Sequence, residues 1–346
     1  MSEESIRLRK KEHLEICSGD AAAFRLKSNG FEKYDFRHYA LTEVEIGRID
    51  LSLRFFGNKI DYPFMISCMT GGSDELNNIN LSLAEAANKL NIPIGLGSLR
   101  YAIDTEEHNF HLSKIRETAG GVPLLGNIGA AQIVSADSVK IIKSLIKKTG
   151  CDIFVVHLNP LQELIQKSGE INFKGLRKAL KKINEHIGVP VIVKEVGAGI
   201  SGDAAKELLE LGIRGIDVAG AGGTSWAGVE IIRNKDDENN EFWDWGLPTS
   251  QCILEVNKLK NKYKFLLIGS GGVNTAEEAA KALAMGADMV ASARVVLHQL
   301  NAGGVTGVTG MIQNWFETVK KIMYLTGAQT KEDFNNKLLM QVNNTR

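Results

Sequence analysis

Three apolar runs, Tyr62-Pro-Phe-Met-Ile-Ser, Ile92-Pro-Ile-Gly-Leu-Gly and Val122-Pro-Leu-Leu-Gly-Asn, each carry a proline in second place, and those prolines stand 30 residues apart. Proline is tolerated at the mouth of a strand, where its missing N–H costs least, so each run reads as the start of a buried strand. Helical patterns lie between them at 80–90 and 112–119, and a third follows at 135–148, where Ile141, Ile142, Leu145 and Ile146 have helical spacing. Five more strand-like runs follow at 152–158, 189–193, 215–218, 265–268 and 288–292. Helical patterns at 173–187, 203–211, 250–260 and 275–285 separate them, and the last opens with the capping-box signature Thr275-Ala-Glu-Glu278. Eight strands alternating with helices predict a parallel sheet closed into a (β/α)8 TIM barrel over 61–297. An open doubly wound sheet is the other architecture compatible with the alternation.

The flanks break the rhythm. Residues 1–60 form an N-terminal extension, with helices expected at 7–16 and 21–29 and extended segments over 41–58 suited to plugging one end of the barrel. The stretch 223–264 is too long for one connection and reads as an insertion after strand six, a lid or a subunit contact. Residues 298–346 read as a glycine-rich turn followed by two helices, one of them at 311–324.

Bulk properties exclude several classes. Lys plus Arg equals Asp plus Glu at 41 each, which argues against a nucleic-acid-binding surface. Cys17, Cys68, Cys151 and Cys252 are widely separated, supporting neither a disulfide framework nor a zinc site. The charged start lacks an apolar signal region, and no apolar run approaches the ~18 residues of a membrane span. A soluble cytoplasmic protein with no membrane partner is expected.

In such a barrel the chemistry sits on the loops after the strands. Here they are Met69-Thr-Gly-Gly72, Gly97-Ser-Leu-Arg100, Asn127-Ile-Gly-Ala130, 157–163, Lys194-Glu-Val-Gly-Ala-Gly199, Gly220-Ala-Gly-Gly-Thr-Ser-Trp226, Gly269-Ser-Gly-Gly-Val273 and Ser292-Ala-Arg294. Glycines at 269–272 allow backbone N–H groups to converge on a phosphate, although such clusters also serve plain tight turns. Lys194 follows five apolar residues; partly desolvated, it either shares its space with an anion or snorkels to the rim. With Thr70, Ser98 and Asn127 it would ring a flat, phosphate-bearing heterocycle. Flavin mononucleotide suits this better than a dinucleotide, because no GxGxxG fingerprint follows a first strand. The stretch Cys151-Asp-Ile-Phe-Val-Val-His-Leu-Asn-Pro-Leu-Gln-Glu163 is a buried strand that ends in four polar side chains. Period two puts His157 and Asn159 on one face, facing either a pocket or the core. Arg9, Lys10 and His13 share one helix, able to meet a diphosphate or simply to be solvated.

These pieces together resemble the type 2 isopentenyl-diphosphate isomerases, FMN-dependent (β/α)8 barrels. The resemblance rests on Arg9-Lys10-x-x-His13, His38-x-Ala-Leu-x-Glu43, Met69-Thr-Gly-Gly72, Gly97-Ser-x-Arg100, His157-Leu-Asn-x-Leu-Gln-Glu163, Lys194-Glu-Val-Gly-x-Gly199, Asp217-Val-x-Gly-x-Gly-Gly-Thr-Ser-Trp226 and Asp244-Trp-Gly246, in order along nearly the whole chain. Leu99 stands where the family usually has glutamine, Thr42 replaces a usual proline, and Lys167-Ser-Gly-Glu170 replaces a Pro-Glu-Gly-Asp-like run. The Leu99 difference is expected to bear on substrate contacts.

The resemblance implies that Met69, Thr70, Gly71, Ser98, Asn127, Lys194, Thr224, Gly271, Gly272, Ala293 and Arg294 hold FMN. It implies that Arg9, Lys10, His13, Ser98, Arg100, His157 and Asn159 surround isopentenyl or dimethylallyl diphosphate, with Gln162 beside the reacting carbons as the catalytic residue and Glu163 holding Mg2+. A homo-oligomer, tetramer or octamer, is also implied. Gln162 is neutral and cannot act as a strong acid, so the reduced flavin, prepared by NAD(P)H, is expected to carry the proton without net redox change. The competing activity is an FMN-dependent hydroxy-acid dehydrogenase or oxidase on the same barrel.

Overall fold

The computed structural model describes residues 3–17, 19–69, 74–103, 105–135, 137–235 and 240–342. Eight strands, Phe64–Ile66, Ile94–Gly95, Leu124–Gly129, Ile153–His157, Val191–Lys194, Gly215–Asp217, Leu266–Gly269 and Met289–Ser292, form a closed barrel in chain order. Every adjacent pair is parallel, and the eighth strand closes onto the first by pairing Val290 with Phe64. The prolines sit just outside these strands and still serve the barrel. The Pro63, Pro93, Pro123 and Pro190 carbonyls accept from the N–H of Val290, Ile66, Ile94 and Phe154 on the preceding strand. Each proline thus gives the ladder its acceptor where the missing donor is not needed.

Alternation along the strands separates two cores. Phe64, Ile66, Val156, Val193 and Ile216 point outward into the large layer shared with the surrounding helices. Met65, Leu125, Ile153, Val155, Ile192 and Ile268 point inward. The antiparallel hairpin Leu53–Phe55 with Asn58–Ile60 closes the lower end, and its Phe55 and Ile60 belong to that inner cluster with no exposed surface. The extended segments therefore plug the barrel as expected. The capping box is also present, with Thr275 Oγ1 accepting from Glu278 N–H and the Glu278 carboxylate accepting from Thr275 N–H.

Three expectations on the flanks need correction. Residues 21–29 are not helical but form a strap. Asp244 Oδ1 accepts from Arg25, Leu26 and Lys27 N–H at 2.9, 3.0 and 3.2 Å, holding that backbone open, while Ala23 bridges to Thr224. The tail does not begin with a turn: a helix starts at Arg294 and runs to Thr326, interrupted only at Gly304, whose φ of 60° breaks the helical path. A short strand, Leu339–Gln341, then pairs with Tyr34–Phe36. The stretch 223–264 is only partly inserted, because Thr249–Asn257 is the barrel's sixth helix. The additional helix, Trp226–Asn234, packs against the N-terminal helix Glu3–Cys17 and against Pro160–Ile165. Among the described residues, no helix is long and apolar enough to cross a membrane.

Truncating the plug tests its role. Phe55→Ala should cost about 3–5 kcal/mol in denaturant unfolding, the usual loss for a fully buried aromatic. Phe110→Ala, at a side chain 69% exposed, should stay within about 0.5 kcal/mol.

Candidate active site

The inward face of the strands turns polar at the upper rim, because period two carries the inner layer one step further. Leu125 leads to Asn127, Val155 to His157, Ile192 to Lys194, and Gly215 to Asp217. His157 lies beside Lys194 in register, and Lys194 beside Asp217. His157 Nδ1 meets Asn127 Oδ1 at 2.6 Å, and Lys194 Nζ donates to the Glu195 carbonyl at 2.5 Å. Burial, with the Lys194 charge adding to it, pushes the His157 imidazole down to about 3, so it is neutral at physiological pH. Asp217 is fully buried, and its carboxylate accepts from the Ser270 hydroxyl.

Above this layer is one cavity. It is lined by Arg9, Lys10, His13, Met69, Ser98, Arg100, Asn127, His157, Asn159, Gln162, Glu163, Lys194, Thr224, Gly271, Gly272, Ala293 and Arg294. These are all the expected cofactor, substrate and metal residues except Thr70 and Gly71, which lie outside the described residues. Five of the lining side chains are lysine or arginine (Arg9, Lys10, Arg100, Lys194 and Arg294), of which Arg100 pairs with Glu170 and Arg294 with Asp20, and among the described residues Glu163 is the one carboxylate in the lining. Burial and then the Arg9 charge push Lys10 down to about 7. Arg9 is lowered by burial and by Arg100. An anion entering here would relieve that repulsion.

The glycine loops form a cradle at one side. Gly271 and Gly272 have φ of 101° and 70°, a conformation that disfavours any side chain. A Cβ at Gly271 would lie 2.1 Å from the Gly220 carbonyl oxygen, and one at Gly272 would lie 2.5 Å from the Gly222 carbonyl. The loops after strands six and seven therefore pack backbone on backbone. Arg294 opens the long C-terminal helix at their side, adding a cation and a helix N-terminus. A phosphate monoester such as that of FMN fits this donor set.

Opposite the cradle, Gln162 and Glu163 stand on the short helix Pro160–Ile165. The Gln162 amide is held at both ends: Oε1 accepts from Asn159 Nδ2 at 3.1 Å, and Nε2 donates to Glu230 Oε1 at 3.1 Å. Glu163 accepts from Asn159 Nδ2 at 3.0 Å and from Glu170 N–H at 2.7 Å. Among the described residues, no three His, Cys, Asp or Glu side chains gather into a metal cage. One carboxylate suits Mg2+, which keeps waters and leans on substrate oxygens.

Two expectations from the residues change in detail. Asn159 does not share the strand face with His157, since the strand ends at His157 and Asn159 precedes the helix as its N-cap residue. Leu99 is fully buried in the outer core and does not line the cavity, so its substitution does not touch that space directly. Sequence reasoning missed Glu230, a carboxylate with no exposed surface behind Gln162. Burial alone would raise it, but His13 at 2.9 Å, Gln162 and Arg233 hold it below the usual range. It follows Trp226 by four positions in the insertion, one helical turn along, and that spacing was the available signal. Glu170 was missed as well.

The neutral His157 is testable. Unfolding returns the imidazole to its ordinary 6.5, so as pH falls from about 6.5 toward 3 the unfolded chain takes a proton that the folded one refuses, and stability falls. In histidine-labelled protein, one imidazole should stay unprotonated from pH 8 to pH 5 by NMR, and its signal should vanish in His157→Gln. Protonation of that ring near its ordinary value would contradict the burial argument.

The chain as a whole is similar to known proteins. Residues 3–108 and 159–341 match the model of the FMN-dependent dehydrogenase family. An isopentenyl-diphosphate delta-isomerase of Pelodictyon phaeoclathratiforme is 38% identical, over 96% of each chain. One from Pyrococcus horikoshii is 42% identical, over 95% of this chain and 90% of that protein. In fold, a putative lactate oxidase of Pediococcus acidilactici superposes with a TM-score of 0.71 at 19% identity, over 98% of this chain and 94% of that one. Flavocytochrome b2 gives a TM-score of 0.71 at 18% identity, over 95% and 82%. The chain belongs to the isopentenyl-diphosphate delta-isomerases of the FMN-dependent type.

Proposed function

We propose that this chain interconverts isopentenyl and dimethylallyl diphosphate, with reduced FMN and Mg2+ in the same cavity and NAD(P)H as the source of reduction. The observation that carries this reading is the charge of the cavity. Five lysine and arginine side chains line it against one carboxylate among the described residues, and although Glu170 pairs with Arg100 and Asp20 with Arg294 at its edge, the lining suits more than one negative charge. Arg294 and the crossed glycine loops suit the FMN phosphate. Arg9, Lys10, His13 and Arg100 suit the diphosphate, and Glu163 suits the metal that would bridge it.

Reduced FMN, when bound, supplies the proton donor and acceptor for the double-bond shift. The chain supplies position and charge. Lys194 on the inner rim would favour negative charge on the ring above it. Neutral His157, locked to Asn127, presents an imidazole that adds no competing positive charge. Gln162, fixed by Asn159 and Glu230, would hold the hydrocarbon against the ring without giving or taking a proton. The N-terminal helix would close over the diphosphate and keep out water.

Hydroxy-acid oxidation on the same barrel asks for a strong base near neutral pH. An imidazole held near 3, as at His157, is a poor one. Protein with its flavin reduced anaerobically and supplied with Mg2+ should convert isopentenyl diphosphate, whereas flavin-free protein should not. Full turnover without flavin would overturn the proposal. Gln162→Ala should slow turnover by about 100-fold while shifting FMN affinity by no more than about twofold. Equal losses in both would assign it a structural role.

A further inference from the structure

The turn that leaves the Gln162–Glu163 helix makes contacts that no step above uses. After the helix ends at Ile165, the chain doubles back through 166–170 and brings Glu170 against the cavity wall. There Glu170 acts with two different groups. Its backbone N–H donates to Glu163 Oε2 at 2.7 Å. Its carboxylate pairs with Arg100 Nη2 through one oxygen and accepts from Gln132 Nε2 at 2.8 Å through the other. The turn is tight enough to need its glycine, since a Cβ at Gly169 would lie 1.8 Å from the Glu163 carbonyl oxygen.

We propose that Glu170 is a positioning residue that sets both halves of the diphosphate site, orienting Arg100 through its side chain and the Glu163 carboxylate through its backbone. The inference rests on the reading that this cavity takes a diphosphate.

The physical case is one of geometry and charge. Arg100 comes from a short 3-10 turn, Leu99–Ala102, and its side chain must cross toward the cavity without the support of a long element. A guanidinium has five N–H donors in a rigid fork, so fixing one edge on a carboxylate aims the remaining donors. Glu170 is itself held by Gln132 on a separate helix, so the pair does not swing freely. Its side chain is 39% exposed and that of Arg100 21%, so the pair is only partly buried. Arg100 also stands close enough to Arg9 to lower it, and the Glu170 carboxylate offsets part of that repulsion before any ligand arrives. On the other arm, Glu163 has Asn159 on Oε1 and the Glu170 N–H on Oε2, which together fix the plane of its carboxylate. A metal ligand oriented in this way loses affinity when the orienting bond is lost, commonly by 10- to 100-fold.

The two arms separate experimentally because one is a side chain and the other is backbone. Glu170→Ala removes the carboxylate and leaves the N–H. It should raise the KM for isopentenyl diphosphate about tenfold and weaken inorganic diphosphate binding by the same factor, with kcat, FMN affinity and the Mg2+ activation constant within about twofold. Glu170→Gln keeps an acceptor for Arg100 and should restore most of the lost affinity. Gly169→Ala displaces the backbone arm and should raise the Mg2+ activation constant about tenfold or more. Loss of FMN binding or of thermal stability in Glu170→Ala in proportion to the KM change would overturn the proposal, as would wild-type diphosphate affinity. Binding of inorganic diphosphate is read without turnover. If the wild-type protein binds it but does not isomerise, the functional reading fails while the positioning role stands; if Glu170→Ala binds it normally, the positioning role fails alone.

Discussion

Five cationic side chains are held around one cavity against their mutual repulsion, and much of the upper half of the molecule exists to hold them there. Burial displaces both Lys10 and Arg9 toward their neutral forms, with the Arg9 charge adding to it at Lys10 and the Arg100 charge adding to it at Arg9. The fold distributes the task. Lys194 comes from a barrel strand, Arg294 from the start of the C-terminal helix, Arg100 from a short turn, and Arg9 and Lys10 from the N-terminal helix. No single element could bring them together, so the charge of the site depends on the closed barrel and on the extension that folds back over it.

That dependence explains the strap and the additional helix. Asp244 collects three consecutive N–H groups of the strap, and Trp243 donates its indole N–H to the Ala23 carbonyl at 2.9 Å. His13 meets Glu230 on the additional helix and packs edge-on to Trp226 with ring centroids 5.3 Å apart. The insertion thus makes contacts within this chain. It forms a dock for the helix that carries Arg9 and Lys10, and through Glu230 it also holds the far end of Gln162.

Much of this was legible in the residues. Prolines 30 residues apart marked the first three strands and apolar runs marked the other five, because a buried parallel strand must be apolar on both faces. The polar loops followed from where such strands end. What stayed hidden depends on partners distant in sequence. Residues 21–29 contain good helix formers, yet a carboxylate more than 200 residues away claims their N–H groups. Glu230 and Glu170 are ordinary glutamates until His13, Gln162 and Arg100 are placed beside them. Leu99 looked like a change at the site because its neighbours Ser98 and Arg100 face the cavity, but on a 3-10 turn adjacent side chains point to different sides.

In the proposed reaction this charged cavity shifts the double bond of an isoprenyl diphosphate by adding one proton and removing another, and leaves the flavin's oxidation state unchanged. Its most direct test is turnover in deuterated water under anaerobic conditions, with the reduced flavin spectrum and the substrate mass followed together. The account predicts many deuterium-labelled isoprenyl diphosphate molecules per enzyme while the flavin remains reduced. Flavin that oxidises or reduces in step with each product formed would contradict it.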